Sequence, residues 1–291
     1  MRRNFQVTPL SALGPSEVIG LDLASALDIE TVNQLRALWN TSGGILVFRD
    51  QKLDADQHIA FSRNFGPLFG GPEGVPLQDT VSRYIHPAHP EIYRVSNVVD
   101  TDGVPKGRAR AGTYWHSDVS FRERPASASI LYGKQIPGVG GDTLFANNQV
   151  AFDALSPTMQ ETLAPLQAVH DFAVAAASQY ARPIVVSDDF DGTNQALHPV
   201  VRTHAETGSR SLFVNPGFTS HLQGFDRSES EAILSFLYQH MTKPEFIYRH
   251  HWRENDLLMW DNRMNMHFAI ADYGDTPRYL ERTTVIGERP D

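Results

Sequence analysis

A nine-residue stretch decides the fold: residues 113–121 read Thr-Tyr-Trp-His-Ser-Asp-Val-Ser-Phe. Side chains two positions apart on an extended strand point to the same face of a sheet. His116 and Asp118 could therefore bind one metal ion from one strand, and Val119-Ser120-Phe121 predicts that the strand continues beyond them. Imidazole and carboxylate are both ligands of first-row divalent metals. The stretch thus predicts one wall of a metal site in a β-rich protein.

The same pairing of a histidine with an acid two residues later occurs at two other positions, so the pattern alone is weak. His89 and Glu91 flank Pro90, which is disfavoured in a central strand because proline cannot donate a ladder hydrogen bond. His204 and Glu206 lie within Thr-His-Ala-Glu-Thr-Gly, a composition typical of a surface turn. Only the first pair is followed by strand-forming residues, which favours it as the metal site.

A third ligand is predicted near the C-terminal end, where His267 follows the apolar run 257–260. Two histidines and one carboxylate on one face of an octahedron leave three adjacent positions for a chelating cosubstrate and oxygen. Arg278 and Arg282 follow, eleven and fifteen residues after His267. An arginine one hairpin away could pair with the free carboxylate of an iron-chelating dicarboxylic acid through two hydrogen bonds. Either arginine alone is also compatible with a solvated charge at a strand edge.

Composition restricts the possible classes of protein. The chain has 291 residues, a formal net charge of −9 and no cysteine. The missing cysteines exclude disulfides, thiolate metal sites and cysteine nucleophiles, and the negative charge argues against a nucleic-acid partner. Neither a signal peptide nor a membrane span is visible. We therefore expect a cytoplasmic protein that acts on a small molecule without a membrane partner.

Short strand-like segments dominate the chain, and a few helices interrupt them. Helical apolar spacing covers 29–41, 54–65 and 228–241, and the Gly- and Pro-rich residues 66–80 predict a long loop. The predicted strands are 44–48, 91–96, 127–132, 142–145, 200–203, 211–214, 246–249, 257–260, 267–270 and 282–286. Many short strands separated by turn signals indicate a β-sandwich or barrel with helical decoration. No glycine-rich phosphate loop supports a nucleotide site.

Taken together, these features resemble the taurine dioxygenase and 2,4-dichlorophenoxyacetate dioxygenase family of Fe(II)/2-oxoglutarate-dependent oxygenases. The resemblance covers nearly the whole chain and rests on six ordered motifs. They are 114–121, 140–143, 198–204, 213–218, 242–246, and 260–263 together with His267, Arg278 and Arg282. The family's fold implies a mainly β chain with helices, a double-stranded β-helix (a cupin-like jelly roll with helical decoration), forming a single domain over residues 1–291.

The resemblance also implies an oxidoreductase that uses Fe(II), with 2-oxoglutarate as cosubstrate and O2. Such an enzyme oxidises a C–H bond of a small, anionic organic substrate, sometimes with cleavage, and releases succinate and CO2. Residue by residue, His116, Asp118 and His267 match the iron ligands, and Thr143 and Arg278 match the residues that hold the distal carboxylate of 2-oxoglutarate. No catalytic side chain beyond the metal ligands is implied. Relatives form dimers and tetramers, which implies a homo-oligomer.

The substrate side of the site departs from the taurine-specific pattern. The residues expected to face the substrate are Arg282, Phe218, Tyr114, Gly112 and Gly71. A histidine and an asparagine of taurine-specific relatives fall at Gly71 and Gly112, and a pocket phenylalanine falls near Ala176. These smaller residues open volume and remove hydrogen-bond partners, so a substrate larger and less polar than taurine is expected.

Three alternatives stay open on the sequence. A zinc or manganese hydrolase or isomerase on a similar barrel could use the same triad without consuming 2-oxoglutarate. A ligand-binding sandwich with structural histidines is the non-enzymatic alternative. The basic segment 106–110 could be a mobile lid that recruits an anionic group, or a solvated loop.

Overall fold

Strands form most of the ordered elements in the computed structural model, which describes residues 4–72, 84–175 and 194–291. The strands are β1 (Gln6–Pro9), β2 (Ser16–Ile19), β3 (Ile45–Phe48), β4 (Ile85–His86), β5 (His89–Ser96), β6 (Ala126–Gln135), β7 (Thr143–Asn147), β8 (Gln167–Asp171), β9 (Gln195–Pro199), β10 (Val201–Thr203), β11 (Arg210–Leu212), β12 (Thr219–Leu222), β13 (Ile247–His250), β14 (Leu257–Asp261), β15 (Asn265–Ala269) and β16 (Tyr279–Ile286). The helices are α1 (Ile29–Thr41), α2 (Ala55–Arg63), α3 (Asn148–Asp153), α4 (Pro157–Leu163) and α5 (Arg227–Met241), and a 3-10 helix spans Pro244–Phe246.

Eight of these strands form one mixed sheet in the order β1-β2-β3-β14-β6-β16-β5-β4. A smaller antiparallel sheet, β13-β7-β15, packs on this large sheet, and Phe145 of β7 meets Trp260 of β14 edge to face with ring centroids 5.5 Å apart. The remaining strands form the sheets β12-β8-β9 and β10-β11. Two sheets packed face to face are the arrangement of a β-sandwich or jelly roll, so the predicted β architecture is confirmed.

Alternation along the strands divides the core into two layers. On β3, Ile45 and Val47 face the smaller sheet, whereas Leu46 and Phe48 face helices α1 and α2 on the other side. All four side chains are buried, and each such burial contributes about 1.5–3 kcal/mol. On β16 the same alternation turns Arg282 toward the cavity between the sheets.

Helices α1 and α2 begin where their caps predict. Asp28 accepts a hydrogen bond from the backbone N–H of Thr31 at 2.7 Å. Asp54 and Gln57 form a reciprocal capping box with distances of 2.8 and 2.9 Å. Apart from the strand expected through residues 119–121, every predicted helix and strand has a counterpart, with boundaries shifted by a few residues. Within the described ranges, no helix combines the length and the apolarity needed to cross a bilayer.

The predicted continuation of the first motif as a strand through residues 119–121 is wrong. His116 forms a single antiparallel bridge with His267, through backbone hydrogen bonds of 3.0 and 2.8 Å. The chain turns immediately after this bridge, and Val119 adopts a φ of 58°. A β-branched residue rarely adopts this conformation, which costs about 1–3 kcal/mol and is typical of functional sites. The predicted loop 66–80 contains turns over residues 66–72, and its remainder lies outside the described residues.

A buried histidine beneath the large sheet predicts a loss of stability in acid. His58 of α2 is fully buried, and its Nε2 donates a hydrogen bond to the carbonyl of Ile130 at 3.1 Å. Burial lowers the pKa of His58 to about 4, and the negative charge of Glu281 opposes this only in part. An unfolded histidine binds a proton below about pH 6.5, whereas the folded one stays neutral until about pH 4. Stability should therefore fall through this window by at most about 3 kcal/mol.

The variant His58→Gln removes this titration and is expected to flatten the pH dependence of folding. The free energy of unfolding, measured by urea denaturation between about pH 7 and about pH 4, should change less steeply than in the wild type. The difference in slope should be up to about 1.4 kcal/mol per pH unit. Equal slopes for the two proteins would show that another group controls the acid sensitivity.

Candidate metal centre and active site

The bridge between the 113–121 stretch and β15 brings two histidines and an aspartate together. The rings of His116 and His267 lie 4.1 Å apart between centroids. Asp118 approaches both, with its Oδ1 3.7 Å from Nε2 of His116 and its Oδ2 3.8 Å from Nε2 of His267. One ligand atom from each side chain lies within 4.8 Å of the others. No other cluster of three or more potential ligands of this kind occurs among the described residues.

Both imidazoles of this triad are neutral at neutral pH. Burial lowers the pKa of His116, and burial together with the charge of His116 places the pKa of His267 well below its usual value. The Nδ1 of His116 donates to the carbonyl of Tyr114 at 2.9 Å, which leaves the lone pair on Nε2 for a metal. Two neutral imidazole nitrogens and a carboxylate suit iron(II) and related divalent ions, so the donor set fits such a metal.

Asp118 is held by a buried polar network. Ser129 donates a hydrogen bond to its Oδ2 at 2.7 Å, and Arg282 donates to its Oδ1 at 2.5 Å. Asn262 accepts from the backbone N–H of Asp118 at 3.1 Å and donates to Ser129 at 3.0 Å. Although burial disfavours the charge, the Arg282 guanidinium, helped by the hydrogen bond from Ser129, lowers the pKa of Asp118 below its usual value. The Asp118 carboxylate is therefore ionised at neutral pH, and its two oxygens are held in place beside the two histidines.

Arg278 is a buried cation in the same cavity. Its Nε and Nη2 donate to the carbonyl of Gly141 at 3.3 and 3.0 Å, and its guanidinium lies 5.5 Å from the ring centroid of Tyr273. In the part of the chain that the structure describes, no carboxylate lies within salt-bridge distance of it. Burial lowers the pKa of Arg278, yet an arginine remains charged at neutral pH. A buried charge is costly unless it is paired, so this position suits an anionic ligand.

The loop that precedes β7 fits closely around Arg278. Gly140 and Gly141 have φ values of 80° and 74°, a region that favours glycine. A Cβ on Gly141 would lie 3.0 Å from Nε of Arg278, so a side chain here would crowd the guanidinium. Thr143 follows in β7, lines the cavity and accepts a hydrogen bond from Nε1 of Trp252 at 2.9 Å.

A cavity of about 110 Å³ opens beside the triad, and its wall is mainly aromatic and cationic. The aromatic residues are Phe69, Tyr93, Tyr114, Phe121, Phe172, Phe218 and Trp260. The arginines are Arg108, Arg122, Arg278 and Arg282. An apolar wall with a few cations suits an organic anion that has an apolar body.

Four of the five residues predicted to face the substrate line this cavity: Gly112, Tyr114, Phe218 and Arg282. The ring of Tyr114 lies 4.8 Å from that of His116 and 6.2 Å from that of Phe218. Arg282 also lines the cavity, but its guanidinium binds Asp118 and lies 5.2 Å from the ring centroid of Tyr93. Arg282 is therefore engaged with the metal-site carboxylate in this structure.

The predicted glycine positions have different outcomes. Gly112 lines the cavity with a φ of 71°, and a Cβ there would lie 2.7 Å from Cε1 of His116, so only glycine fits against this ring. Gly71 does not line the cavity among the described residues, and the wall nearby is formed by Phe69 instead. Ala176 lies outside the described residues.

The other two histidine–acid pairs, His89 with Glu91 and His204 with Glu206, do not contribute to the metal cluster and instead contact charged side chains elsewhere in the fold. Glu91 accepts from Arg63 at 2.8 Å. His204 was predicted to lie in a surface turn, but it is buried, with Nε2 3.0 Å from Asp261. Asp261 also binds Arg263 at 2.7 Å, and this buried cluster explains why the histidine points inward.

Fold and site together define a jelly-roll protein with a candidate metal centre and a buried arginine in the same cavity. The family "Taurine catabolism dioxygenase TauD, TfdA family" matches residues 6–284. The chain belongs to this TauD, TfdA family. Its named relatives are alpha-ketoglutarate-dependent dioxygenases, alpha-ketoglutarate being another name for 2-oxoglutarate, and the chain is accordingly an oxidoreductase of this class.

Three similar proteins illustrate this relationship. The chain is 36% identical over 290 residues to an alpha-ketoglutarate-dependent 2,4-dichlorophenoxyacetate dioxygenase of Cupriavidus pinatubonensis, covering 96% of this chain and 97% of the relative. It is 31% identical to an alpha-ketoglutarate-dependent sulfate ester dioxygenase of Pseudomonas putida, covering 98% and 91%. The crystal structure of AAD-2 in complex with Mn(II) and N-oxalylglycine superposes with a TM-score of 0.80 at 28% identity, covering 98% of both chains. These likenesses confirm the predicted double-stranded β-helix with helices.

Proposed function

We propose that this chain uses Fe(II), 2-oxoglutarate and O2 to oxidise a C–H bond of a small anionic organic molecule, with release of succinate and CO2. The observation that carries the proposal is the buried triad, His116, Asp118 and His267, in one cavity with the buried cation Arg278. The same cavity therefore contains a set of metal ligands and a cation that could bind the free carboxylate of a dicarboxylic acid. We also propose that residues 1–291 act as a single domain.

In this proposal His116, Asp118 and His267 hold the metal through two neutral nitrogens and one ionised oxygen. Bound there, iron(II) supplies the redox chemistry that activates oxygen. The chain's own contribution is to keep the donors preorganised. Ser129 and Arg282 fix the carboxylate, and the surrounding rings exclude water from the reacting C–H bond.

For the cosubstrate, we assign the distal carboxylate of 2-oxoglutarate to Arg278 and Thr143. The guanidinium can pair with a carboxylate through two charge-assisted hydrogen bonds. The hydroxyl of Thr143 already accepts from Trp252, which leaves its own proton to donate to the same carboxylate. Both residues line the cavity that the triad faces.

For the substrate, we propose an anion with an aryl or alkyl body. The cationic and aromatic wall carries this inference, since a charge-assisted contact and apolar burial are both available. Aryloxyalkanoates and sulfate esters, the classes named for two relatives, are the first candidates. Taurine is disfavoured, because its ammonium group would enter a cavity that is lined by arginines.

A substrate screen read by succinate release tests this function. Sulfonates, alkyl sulfates, aryloxyalkanoates and amino acids are compared side by side, with oxygen consumption measured in parallel. We expect succinate and oxygen uptake with an aryl or alkyl anion and much less with taurine. Turnover of any substrate without loss of 2-oxoglutarate would instead indicate a non-oxidative hydrolase or isomerase.

The assembly and location of the protein stay predictions. We propose a homo-oligomer, either a dimer or a tetramer, in the cytoplasm, without a nucleic-acid partner. Size-exclusion chromatography with light scattering tests the first of these, and a monomeric mass would contradict it.

Ser129→Ala is expected to weaken metal binding because Asp118 loses the hydrogen bond to Oδ2. Removing a residue that orients a metal ligand costs roughly 10- to 100-fold in affinity. The affinity for Mn(II), measured by calorimetry, should fall by this factor, and Ser129→Thr should recover most of it. Ser127→Ala is the matched control, since Ser127 is a buried serine two residues earlier in β6. Equal metal affinities of the two alanine variants would remove Ser129 from the site.

A further inference from the structure

The basic segment 106–110 is built into the edge of the large sheet. The backbone N–H of Arg108 donates to the carbonyl of Arg94 at 3.0 Å, and its carbonyl accepts from the N–H of Ser96 at 3.2 Å. A Cβ on Gly107 would lie 2.7 Å from the carbonyl oxygen of Arg94, so glycine at this position permits the close approach. Arg108 is thus fixed beside β5 by backbone hydrogen bonds on both sides.

This arrangement places Arg108 in the wall of the cavity. Arg282 of β16 pairs in register with Tyr93 of β5, and Arg108 lies on the other side of β5. Neighbouring strands are about 4.8 Å apart, so the backbones of Arg108 and Arg282 are separated by about 10 Å. Arg108, Tyr93 and Arg282 all line the cavity, and the side chain of Arg108 donates a hydrogen bond to the phenol of Tyr93.

The other cavity arginines have different surroundings. Arg282 binds Asp118, and its side chain is only 14% exposed. Arg278 donates to Gly141 beside Thr143, in the place proposed for 2-oxoglutarate. Arg122 lies 5.6 Å from the ring centroid of Phe69. Arg108 is half-buried, lines the cavity and donates to the phenol of Tyr93.

We propose that Arg108 is a specificity-determining residue that binds the anionic group of the substrate. The anion would be a carboxylate, sulfonate or sulfate, and the apolar body would lie against Tyr93 and the neighbouring rings, with the oxidised carbon toward the triad. This inference rests on the proposed function for the identity of the reaction, but the binding of the anion to Arg108 can be tested separately. Under this proposal the basic segment 106–110 is neither a mobile lid nor a solvated loop, because its backbone is fixed to β5 and one of its arginines faces the cavity.

The test compares Arg108→Gln and Arg108→Lys with Arg110→Gln. Arg110 lies in the same segment and is exposed, and it does not line the cavity, so its variant removes the same charge from the loop. Binding of 4-chlorophenoxyacetate and of octyl sulfate is measured by calorimetry on protein loaded with Mn(II) and 2-oxoglutarate. KM and kcat are measured with Fe(II) for each compound that is turned over.

Arg108→Gln is expected to weaken anion binding and raise the substrate KM by about 30-fold or more, the usual effect of removing one partner of a buried charge pair. Arg108→Lys should recover part of the loss, and Arg110→Gln should stay within about 2-fold of the wild type, as expected for an exposed charge. The KM for 2-oxoglutarate should not change in Arg108→Gln. Binding of 4-chlorophenoxyacetamide, which carries no charge, should also be unaffected.

Three results would overturn the assignment. They are unchanged anion binding in Arg108→Gln, an equal loss in Arg110→Gln, or a wild type that binds neither anion. Wild-type protein that binds an anion through Arg108 but forms no succinate would contradict the proposed reaction while supporting this residue. Circular dichroism and melting temperatures of the variants separate a loss of binding from a loss of folding.

Discussion

Replacement of Asp118 by asparagine is expected to abolish succinate formation. The variant keeps the size of the side chain and an oxygen that can accept from Ser129, but it removes the negative charge from a donor set whose other members are neutral imidazoles. Mutating a residue that only hydrogen-bonds to a metal ligand already lowers the metal affinity roughly 10- to 100-fold. We therefore expect Mn(II) affinity to fall by more than about 100-fold.

Two further variants make this result specific. Asp118→Ala should also lose activity, but it leaves the largely buried Arg282 without its partner, which typically destabilises a protein by about 3–5 kcal/mol. The asparagine variant also removes this counter-charge, but it leaves no cavity and keeps one amide oxygen as an acceptor, so its melting temperature should lie between those of the alanine variant and the wild type. Asp102→Asn, at an exposed turn, is the control for loss of one negative charge. Retained turnover in Asp118→Asn would remove this residue from the metal site.

Arg278→Ala is expected to act mainly on 2-oxoglutarate. Because the guanidinium is buried and no carboxylate of the described residues pairs with it, the cosubstrate would provide its counter-charge. Truncating one partner of a buried charge pair costs about 2–5 kcal/mol, so the KM for 2-oxoglutarate should rise by about 30-fold or more. Mn(II) affinity should be nearly unchanged, since Arg278 contacts none of the triad through a hydrogen bond.

Arg278→Lys should recover little of this affinity. A lysine provides a point charge in place of the planar fork that matches a carboxylate, and it would lose the paired contacts to Gly141. The control is Arg110→Ala, which removes an exposed arginine away from the cavity. A KM for 2-oxoglutarate that is unchanged in Arg278→Ala would place the cosubstrate elsewhere.

The fold was largely predictable because its signals are local. The apolar run 45–48 alternates between two buried layers, and the caps Asp28 and Asp54 mark the starts of two helices. The triad was also predictable, since His116 and Asp118 lie two positions apart and the motif around His267 follows the family order. Both kinds of signal depend on spacing along the chain.

Features that depend on distant contacts could not be predicted in this way. The turn at Val119 is stabilised by packing against other parts of the chain, and its residue types suggest a strand. Ser129 carries no sequence signal for its contact with Asp118, because the two meet only when β6 lies beside the triad. Arg108 belonged to a recognisable basic segment, but only the hydrogen bonds to β5 show which of its charges faces the cavity.

The most direct test of the central claim is an anaerobic titration of 2-oxoglutarate into Fe(II)-loaded protein, followed by visible absorption. If His116, Asp118 and His267 hold iron with open positions for the cosubstrate, a new absorption band should develop and saturate at one 2-oxoglutarate per chain. The same titration of Asp118→Asn should give no band. Wild-type protein that binds iron and stays colourless at saturating 2-oxoglutarate would contradict the account.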